Sequence, residues 1–154
     1  MNAEIAELYG GRLRIRVCGL LFDDEHLLLA NHRGLNDGDF WSPPGGGVEF
    51  GEPMAVALQR EFMEETGLNI TVHQFAFGCE LLRGPLHAIE LFFWTEKTGG
   101  KLSTGYDPEF QIIEQTKLFS ANDLQSMQKN ELHDIFQLAK TKRDFQQLTG
   151  FYRI

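Results

Sequence analysis

Polar and aliphatic residues alternate along the first long segment of the chain. From Arg12 to Val17 an arginine stands at every second position, with aliphatic residues between, the period-two pattern of a half-buried strand. From Leu20 to Phe22 the run is entirely apolar, as in a central strand buried on both faces. We therefore expect a strand that runs from the surface into the core, with the arginines on a solvated face; a row facing phosphate is the alternative.

Glycine, proline and acidic clusters divide the rest of the chain into further elements. Further strands are predicted at 26–32, 69–82, 86–96 and 111–119. Helices are predicted at 53–66, 122–128 and 131–140, with a short helix or arm at 3–9 and loops at 33–41 and 98–108. Strands that dominate the first two thirds, with one embedded helix and more at the end, favour an α/β fold with a mixed sheet covered by helices on both faces.

Several residues mark the expected ends of these helices. Pro53 suits the first turn of the embedded helix, and Gly67 suits its C-terminal end. Ser120 and Asn130 are candidate N-caps for the two later helices. Ala55, Leu58 and Phe62 form the expected core-facing stripe of the embedded helix, at about 100° of rotation per residue.

Length and charge limit the class of protein. A chain of 154 residues predicts one domain, with residues 1–11 as an N-terminal arm and 141–154 as a tail. The net charge of −8 argues against a nucleic-acid partner, which requires a basic surface. The first residues have no signal-peptide pattern, and the longest apolar runs are too short to cross a bilayer. Cys18 and Cys79 lie in apolar, strand-like sequence, so we expect two buried thiols and a cytoplasmic location.

The tail keeps several apolar residues after the last predicted helix. The segment from Phe145 to Ile154 reads FQQLTGFYRI. Two interpretations remain open: the tail forms a homodimer contact, or it folds back onto its own core.

Three glutamates stand close together at the end of the embedded helix. Glu61, Glu64 and Glu65 are spaced i, i+3 and i+4, which places them in one narrow sector that borders the core-facing stripe. Like charges at this spacing destabilise a helix. A solvated acidic face is the simplest interpretation of the triplet alone. A hard divalent cation is the alternative, because Mg²⁺ takes oxygen ligands and keeps places for water and phosphates.

The residues around the triplet decide between these interpretations. The run from Gly46 to Leu68 reads GGVEFGEPMAVALQREFMEETGL, and its fixed positions are Gly46, Glu52, Arg60, Glu61, Glu64, Glu65 and Gly67, with bulky apolar residues at Phe62 and Leu68. With average residue usage, this pattern matches by chance on the order of 10⁻⁹ to 10⁻¹⁰ times per start position. The run resembles the Nudix box, Gly-x5-Glu-x7-Arg-Glu-U-x-Glu-Glu-x-Gly-U, in which U is bulky and apolar. The chain is thereby identified as a member of the Nudix hydrolase superfamily, similar to its MutT-like proteins.

This resemblance implies a fold, a cofactor and residue roles. It implies a Nudix-type α/β/α sandwich with a mixed sheet, and hydrolysis of a nucleoside diphosphate linked to another group with Mg²⁺ or Mn²⁺. Glu61 and Glu65 would be the main metal ligands, with Glu64 close by and a carbonyl from Gly46 or its neighbour. Arg60 and Glu52 would orient the carboxylates. The general base would be Glu64, Glu65 or a downstream glutamate, with Glu109 preferred over Glu114 and Glu90.

Residues outside the box are candidates for substrate binding. His32 and Arg33 precede a glycine-rich loop and suit a phosphate, and Arg83 is a further cation. Phe40, Trp41 and Tyr106 suit stacking on a base, although aromatic residues beside a strand are as a rule part of the core. The box does not identify the substrate, which remains open among small nucleotides, nucleotide sugars and nucleoside triphosphates. The alternative functions are an RNA 5′-end pyrophosphohydrolase and a nucleotide-sensing module without catalysis.

Overall fold

A computed structural model describes the protein over residues 3–32, 38–103, 105–107 and 112–154. Its strands are β1 (Leu13–Asp23), β2 (His26–Asn31), β3 (Trp41–Ser42), β4 (Gly45–Gly47), β5 (Leu68–Arg83), β6 (Leu86–Gly100), β7 (Gly105–Asp107), β8 (Ile112–Glu114), β9 (Thr116–Phe119) and β10 (Phe151–Arg153). Its α-helices are α1 (Ala3–Tyr9), α2 (Met54–Thr66), α3 (Ala121–Ser126) and α4 (Lys142–Gln147), and Lys129–Glu131 and Asp134–Gln137 form 3₁₀ helices. No helix in the described ranges is long and apolar enough to cross a membrane.

The described strands form one mixed sheet and one separate hairpin. The sheet has eight strands, with the path β10-β5-β6-β1-β2-β3, while β4 pairs with β1 and β9 pairs with β2. The β1–β6 and β10–β5 pairs are parallel, and the other pairs are antiparallel. Strands β7 and β8 form the separate antiparallel pair. Because β4 pairs with residues 16–18 of β1, the short glycine strand lies beside the middle of the sheet.

Both faces of the sheet are covered, and each face has its own hydrophobic core. On one face, three residues of α2 pack against five residues of the strands. The helix contributes Ala57, Leu58 and Phe62, and the strands contribute Val17, Leu21, Leu28, Leu68 and Ile70. On the other face, the C-terminal helical segments pack onto the strands through residues that include Leu124, Ile135, Phe136, Phe145, Leu20, Phe77 and Phe92. The predicted α/β fold, a mixed sheet between helical layers, is confirmed.

Helix α2 has the predicted ends but a slightly different buried stripe. Pro53 is its N-cap, and Gly67 ends it at φ 73°, with its N–H donating to the Met63 carbonyl. This left-handed conformation favours glycine. The expected burial of Ala55 is wrong, because residues 53–56 are all exposed. The helix meets the sheet only from Ala57 onward, so Ala57 takes that place in the core.

The predicted helix at 131–140 is replaced by two 3₁₀ turns. Asn130 lies inside the first turn and is not an N-cap, whereas Ser120 caps α3 as predicted. The break occurs at His133, whose backbone is extended and whose N–H donates to the Trp41 carbonyl at 3.0 Å. A tertiary hydrogen bond thus interrupts the helix. The other predicted strands are present with shifted ends, and the segment 111–119 is divided at Gln115, whose carbonyl accepts the Asn31 N–H.

The tail folds back onto its own core. Thr141 caps α4, Phe145 is fully buried, and β10 pairs in parallel with β5. The tail therefore packs against its own chain, although Phe151 stays 55% exposed. A homodimer stays a prediction, and the tail no longer requires it.

The expectation of a solvated arginine face on β1 is wrong at Arg16. Leu13 and Ile15 are 57% and 42% exposed, while the Arg16 side chain is only 19% exposed. The reason is a buried carboxylate on β6: Glu90 pairs in register with Arg16, and its Oε1 lies 3.3 Å from Arg16 Nε. The other Glu90 oxygen accepts a hydrogen bond from His133 Nε2 at 2.8 Å. A buried arginine is tolerated here because a carboxylate compensates its charge.

The surroundings of Glu90 strongly favour its ionised form. Burial by itself would raise the pKa of this carboxyl, but the electrostatic attraction and hydrogen bond of His133, followed by the charge of Arg16, outweigh burial and bring the pKa to about 2. Cys18 and Cys79 lie near this carboxylate, and both are free and buried as predicted. Burial and the Glu90 charge raise the pKa of the Cys79 thiol to about 12. Both thiols are therefore held in the unreactive protonated form.

The packing of α4 predicts a large effect of truncating Phe145. We expect Phe145→Ala to lower the free energy of unfolding by about 3–5 kcal/mol, because the ring is fully buried. Phe50→Ala is the control, because Phe50 is fully exposed and should cost less than about 0.5 kcal/mol. Urea unfolding of the three proteins measures the difference, and equal stabilities would contradict the described position of the tail.

The low pKa of Glu90 predicts pH-dependent stability. A carboxyl whose folded pKa is depressed stabilises the protein above its unfolded pKa, and loses that contribution as the pH falls through the folded value. Glu90→Gln should thus be less stable than wild type by about 3 kcal/mol at pH 7. The difference should shrink between pH 4.5 and about 2. Urea unfolding across this range measures it; a difference independent of pH would show that the Glu90 charge contributes no stability.

Candidate metal and catalytic site

The last two turns of α2 present the three glutamates on one side of the helix. The exposed fractions of the Glu61, Glu64 and Glu65 side chains are 15%, 34% and 7%. Their spacing places them beside the buried stripe of α2, as the sequence analysis expects. The carboxylates therefore border the core, where water screens charge less than at the surface.

The glycine strand β4 lies directly against two of these carboxylates. The Gly45 N–H donates to Glu65 Oε2 at 3.1 Å, and a Cβ added at Gly46 would overlap the Glu61 carboxylate. Any larger residue at position 46 would displace that side chain. The glycines thus allow the backbone to approach the acids closely.

Arg60 joins the acids of α2 to the loop before the helix. Its guanidinium donates to both Glu52 oxygens at 3.0 Å and to the Gly47 carbonyl at 3.2 Å. Its Nη1 lies 2.9 Å from Glu61 Oε1 and 3.6 Å from Glu64 Oε2. A planar guanidinium suits this role because its donors are held in a rigid fork. Arg60 therefore fixes the relative positions of the loop and the glutamates.

The titration behaviour of these acids differs with their surroundings. Burial raises the pKa of Glu61, although the hydrogen bond and charge of Arg60 act against it. The Arg60 hydrogen bond lowers the pKa of Glu52, and the same contact raises the pKa of the arginine. Glu61 is thus a partly buried carboxyl that one arginine does not fully compensate, and a further cation beside it would favour its ionised form.

The donor set of this region fits a hard divalent cation. Glu65 and Glu61 contact the glycine strand at Gly45 and Gly46, and Glu64 lies on the same side of α2. Carboxylate oxygens of this kind are the ligands that Mg²⁺ and Mn²⁺ prefer. A cationic guanidinium already lies between Glu61 and Glu64, which shows that the space between them attracts positive charge. Within the described ranges, no three His, Cys, Asp or Glu side chains are already drawn together in metal-binding geometry. Binding would therefore require Glu61 and Glu64 to turn from Arg60, while Glu65 can keep one oxygen on the Gly45 N–H.

The candidate substrate residues outside the box lie in different surroundings. His32 Nδ1 is 3.9 Å from Glu65 Oε1, so the fold brings His32 to the glutamates. The Arg83 guanidinium lies over the Phe40 ring at 4.9 Å, and that ring is beside His133. Trp41 is only 7% exposed and packs edge-on against Phe119, a position that favours the core interpretation. His32 and Arg83 nevertheless lie near one another, because the His32 N–H donates to the Phe40 carbonyl at 2.7 Å and Arg83 covers the ring of the same residue. Phe40 and Trp41 themselves are buried.

Some predicted site residues cannot be placed. Arg33 and Glu109 lie outside the described residues, and of Tyr106 and Glu114 only the strand membership is described. Their roles stay predictions. Glu90, the remaining downstream acid, has both oxygens engaged and is 2% exposed, so the structure does not present it to a substrate.

Three contacts in this region were not predicted from the sequence. Gly45 donates a hydrogen bond to a glutamate, and Arg16 Nη2 lies 3.4 Å from the Gly45 carbonyl. His133 holds the carboxylate that neutralises Arg16. One signal was available, because Glu90 is a single charge within the otherwise apolar run from Ala88 to Trp94. A buried charge requires partners, although the sequence does not identify them.

Comparison with known proteins identifies the family. The NUDIX domain family matches residues 12–139. A curated relative, the nucleoside triphosphatase NudI of Salmonella agona strain SL483, is 46% identical over 59 residues, which cover 36% of this chain and 41% of the relative. The matched stretch of this chain thus spans about two fifths of that protein's length.

Solved structures show the same fold at low sequence identity. A NUDIX hydrolase from Nitrosomonas europaea has a TM-score of 0.68 at 19% identity, covering 82% of this chain and 84% of that one. A MutT protein from Methanosarcina mazei Go1 has a TM-score of 0.63 at 22% identity, covering 86% and 89%. A UDP-X diphosphatase has a TM-score of 0.67 at 20% identity, covering 98% and 74%. With the match over residues 12–139, these findings show that the chain belongs to the NUDIX family of the Nudix hydrolase superfamily.

Proposed function

We propose that this protein is a divalent-metal-dependent pyrophosphohydrolase that cleaves the diphosphate linkage of a nucleoside diphosphate joined to another group. The observation that carries the proposal is the placement of three glutamates on one side of α2, two of them against the glycine strand, with Arg60 bound to Glu61 and close to Glu64. Family membership supports the same reaction class. We also propose that the chain forms a single Nudix domain and that the protein is cytoplasmic. The two free thiols support that location.

Glu61, Glu65 and Glu64 would hold Mg²⁺ or Mn²⁺, with a carbonyl from Gly46 or its neighbour. Such an ion polarises a phosphoryl oxygen, neutralises developing charge and lowers the pKa of bound water. The chain's own residues supply orientation: Arg60 and Glu52 keep the carboxylates in place through the contacts described above. Because phosphoryl transfer depends mainly on positioning and electrostatics, this rigid arrangement is the protein's principal contribution.

The reaction requires a base for the attacking water. As water attacks phosphorus, a P–O bond of the diphosphate linkage breaks and one proton leaves the water. Glu64 is the most exposed of the three glutamates, which suits access to water, while Glu65 and Glu109 remain candidates. His32 lies next to Glu65 and would contact a phosphate, with Arg33 following it in the chain.

The substrate class is a narrower part of the proposal. The Salmonella relative is described as a nucleoside triphosphatase, and one structural neighbour is described as a UDP-X diphosphatase. We therefore propose nucleoside triphosphates first and nucleotide sugars second. The net charge of −8 disfavours RNA 5′ ends, because a polyanion binds poorly to an acidic surface.

A substrate panel with Mg²⁺ and with Mn²⁺ tests the proposed substrate class. We expect release of pyrophosphate from one or more nucleoside triphosphates, or of two monophosphates from a nucleotide sugar, and loss of either reaction in excess EDTA. Phosphate and pyrophosphate are scored separately. No release from any nucleotide with either metal would overturn the enzymatic proposal and favour a nucleotide-sensing module, while hydrolysis restricted to triphosphorylated RNA would favour the RNA alternative.

Glu65→Gln tests the proposed metal site. Metal stabilisation of the transition state amounts to several kcal/mol, so we expect turnover to fall by about two to four orders of magnitude. Glu96→Gln is the matched control, because Glu96 is an exposed glutamate on β6 that pairs with His73. Circular dichroism checks that both variants are folded. A Glu65→Gln protein with wild-type turnover would remove Glu65 from the reaction.

A further inference from the structure

A continuous chain of polar contacts runs through the sheet from the C-terminal segment to α2. His133 Nε2 donates to Glu90 Oε2 at 2.8 Å, and Glu90 Oε1 lies 3.3 Å from Arg16 Nε. The Nη2 group of the same arginine lies 3.4 Å from the Gly45 carbonyl. The Gly45 N–H in turn donates to Glu65 Oε2 at 3.1 Å. Four contacts therefore connect the three elements β6, β1 and β4 with a glutamate of the proposed metal site.

The first residue of this chain is held in one orientation. His133 Nδ1 accepts the Ile135 backbone N–H at 3.2 Å, so Nε2 is the ring nitrogen that donates to Glu90. The His133 backbone N–H is held by the Trp41 carbonyl. Neither the ring nor the backbone is free to turn, and Glu90 therefore meets a fixed donor.

Arg16 depends on Glu90 for both its charge and its direction. The Arg16 side chain is only 19% exposed, and an uncompensated charge in this position would be costly. A rigid fork of donors can contact Glu90 with Nε and the Gly45 carbonyl with Nη2 at the same time. Without the carboxylate, Arg16 would gain by turning toward water or toward the acids of α2, since Glu61 and Glu65 also act on its charge. Its contact with the Gly45 carbonyl would then be lost.

Residue Gly45 is the point at which this network reaches the site. Its carbonyl and its N–H belong to adjacent peptide units joined at one Cα, and the carbonyl contacts Arg16 while the N–H contacts Glu65. Strand β4 consists of three glycines held in register by backbone pairing with β1, so no side chain of β4 itself limits rotation at that Cα. Displacement of Arg16 would remove one of the contacts that fix Gly45, and with it the position of the N–H that donates to Glu65.

We propose that Glu90 is a positioning residue for the glutamate site: it keeps Arg16 on the Gly45 carbonyl and thereby fixes the Glu65 carboxylate. Glu90 is not catalytic, because both its oxygens are engaged within the protein and it is 2% exposed. The proposal rests on the proposed function in one respect, which is the assignment of Glu65 as a metal ligand.

Mn²⁺ binding to Glu90→Gln tests this role without relying on turnover. Partners that hold a metal ligand in place contribute about 10–100-fold to metal affinity, so we expect the dissociation constant for Mn²⁺ to rise by about that factor. Free Mn²⁺ is counted by electron paramagnetic resonance during titration of the protein with MnCl₂. The matched control is Glu80→Gln, which also removes a carboxylate bound to a histidine at 3.0 Å, but on the partly exposed side of β5. The control should bind Mn²⁺ as wild type does.

Three further measurements make the result decisive. Thermal unfolding establishes that each variant is folded at the titration temperature; a folded Glu90→Gln that binds Mn²⁺ like wild type overturns the proposal, even if its stability is lower. If Glu90→Gln does not fold, Arg16→Lys takes its place in the titration. A lysine keeps the positive charge but cannot contact both Glu90 and the Gly45 carbonyl. Unchanged Mn²⁺ affinity of Arg16→Lys would also overturn the proposal. Glu65→Gln separates the two proposals. If Glu65→Gln and Glu90→Gln both bind Mn²⁺ as wild type does, the assignment of Glu65 as a metal ligand is wrong. If Glu65→Gln binds Mn²⁺ more weakly and Glu90→Gln does not, only the proposed role of Glu90 is wrong.

Discussion

The close approach of α2 to a strand without side chains is the constraint on which the site depends. Glu61 occupies the space that a Cβ at Gly46 would fill, and Glu65 uses the neighbouring N–H of Gly45 as its donor. A helix normally packs on a sheet through side chains on both surfaces. Here the missing side chains allow charged groups to lie where apolar packing would otherwise stand. The hydrophobic stripe through Leu58 and Phe62 stabilises the helix close enough for this contact.

Local patterns predicted the parts of the fold that local physics controls. The ends of α2 follow from Pro53 and Gly67, because backbone conformation at those two residues is a property of the residues themselves. Helical structure around Ile135 and Phe136 was also predicted, but not its 3₁₀ geometry. An α-helix and a 3₁₀ helix would bury the same apolar residues. The hydrogen bond from His133 to the Trp41 carbonyl interrupts the α-helix, and Trp41 comes from a distant part of the chain.

In the candidate site, too, local spacing was predicted correctly and contacts between distant strands were not. The spacing of Glu61, Glu64 and Glu65 within one helix was enough to predict a shared sector. The alternation along β1 correctly predicted a strand with two different faces. It wrongly predicted that Arg16 faces water, because a carboxylate from β6 compensates the charge of this arginine. Hydrophobic periodicity assumes that charged residues face solvent. A buried ion pair between distant strands breaks that assumption, and no pattern within either strand reveals it.

The parallel pairing of β1 with β6 has a consequence for how the molecule folds. The register joins Leu13 to His87 and Leu21 to Thr95, so the central strand finds this neighbour only after a long loop has closed. Closure of such a loop costs entropy before the contacts compensate it, and topologies of this kind fold slowly. Until β6 arrives, the edge of β1 has unpaired backbone groups, which makes the partly folded chain prone to pairing with other chains. The strand that carries Arg16 at its centre is thus also the strand whose completion limits the rate at which the sheet forms.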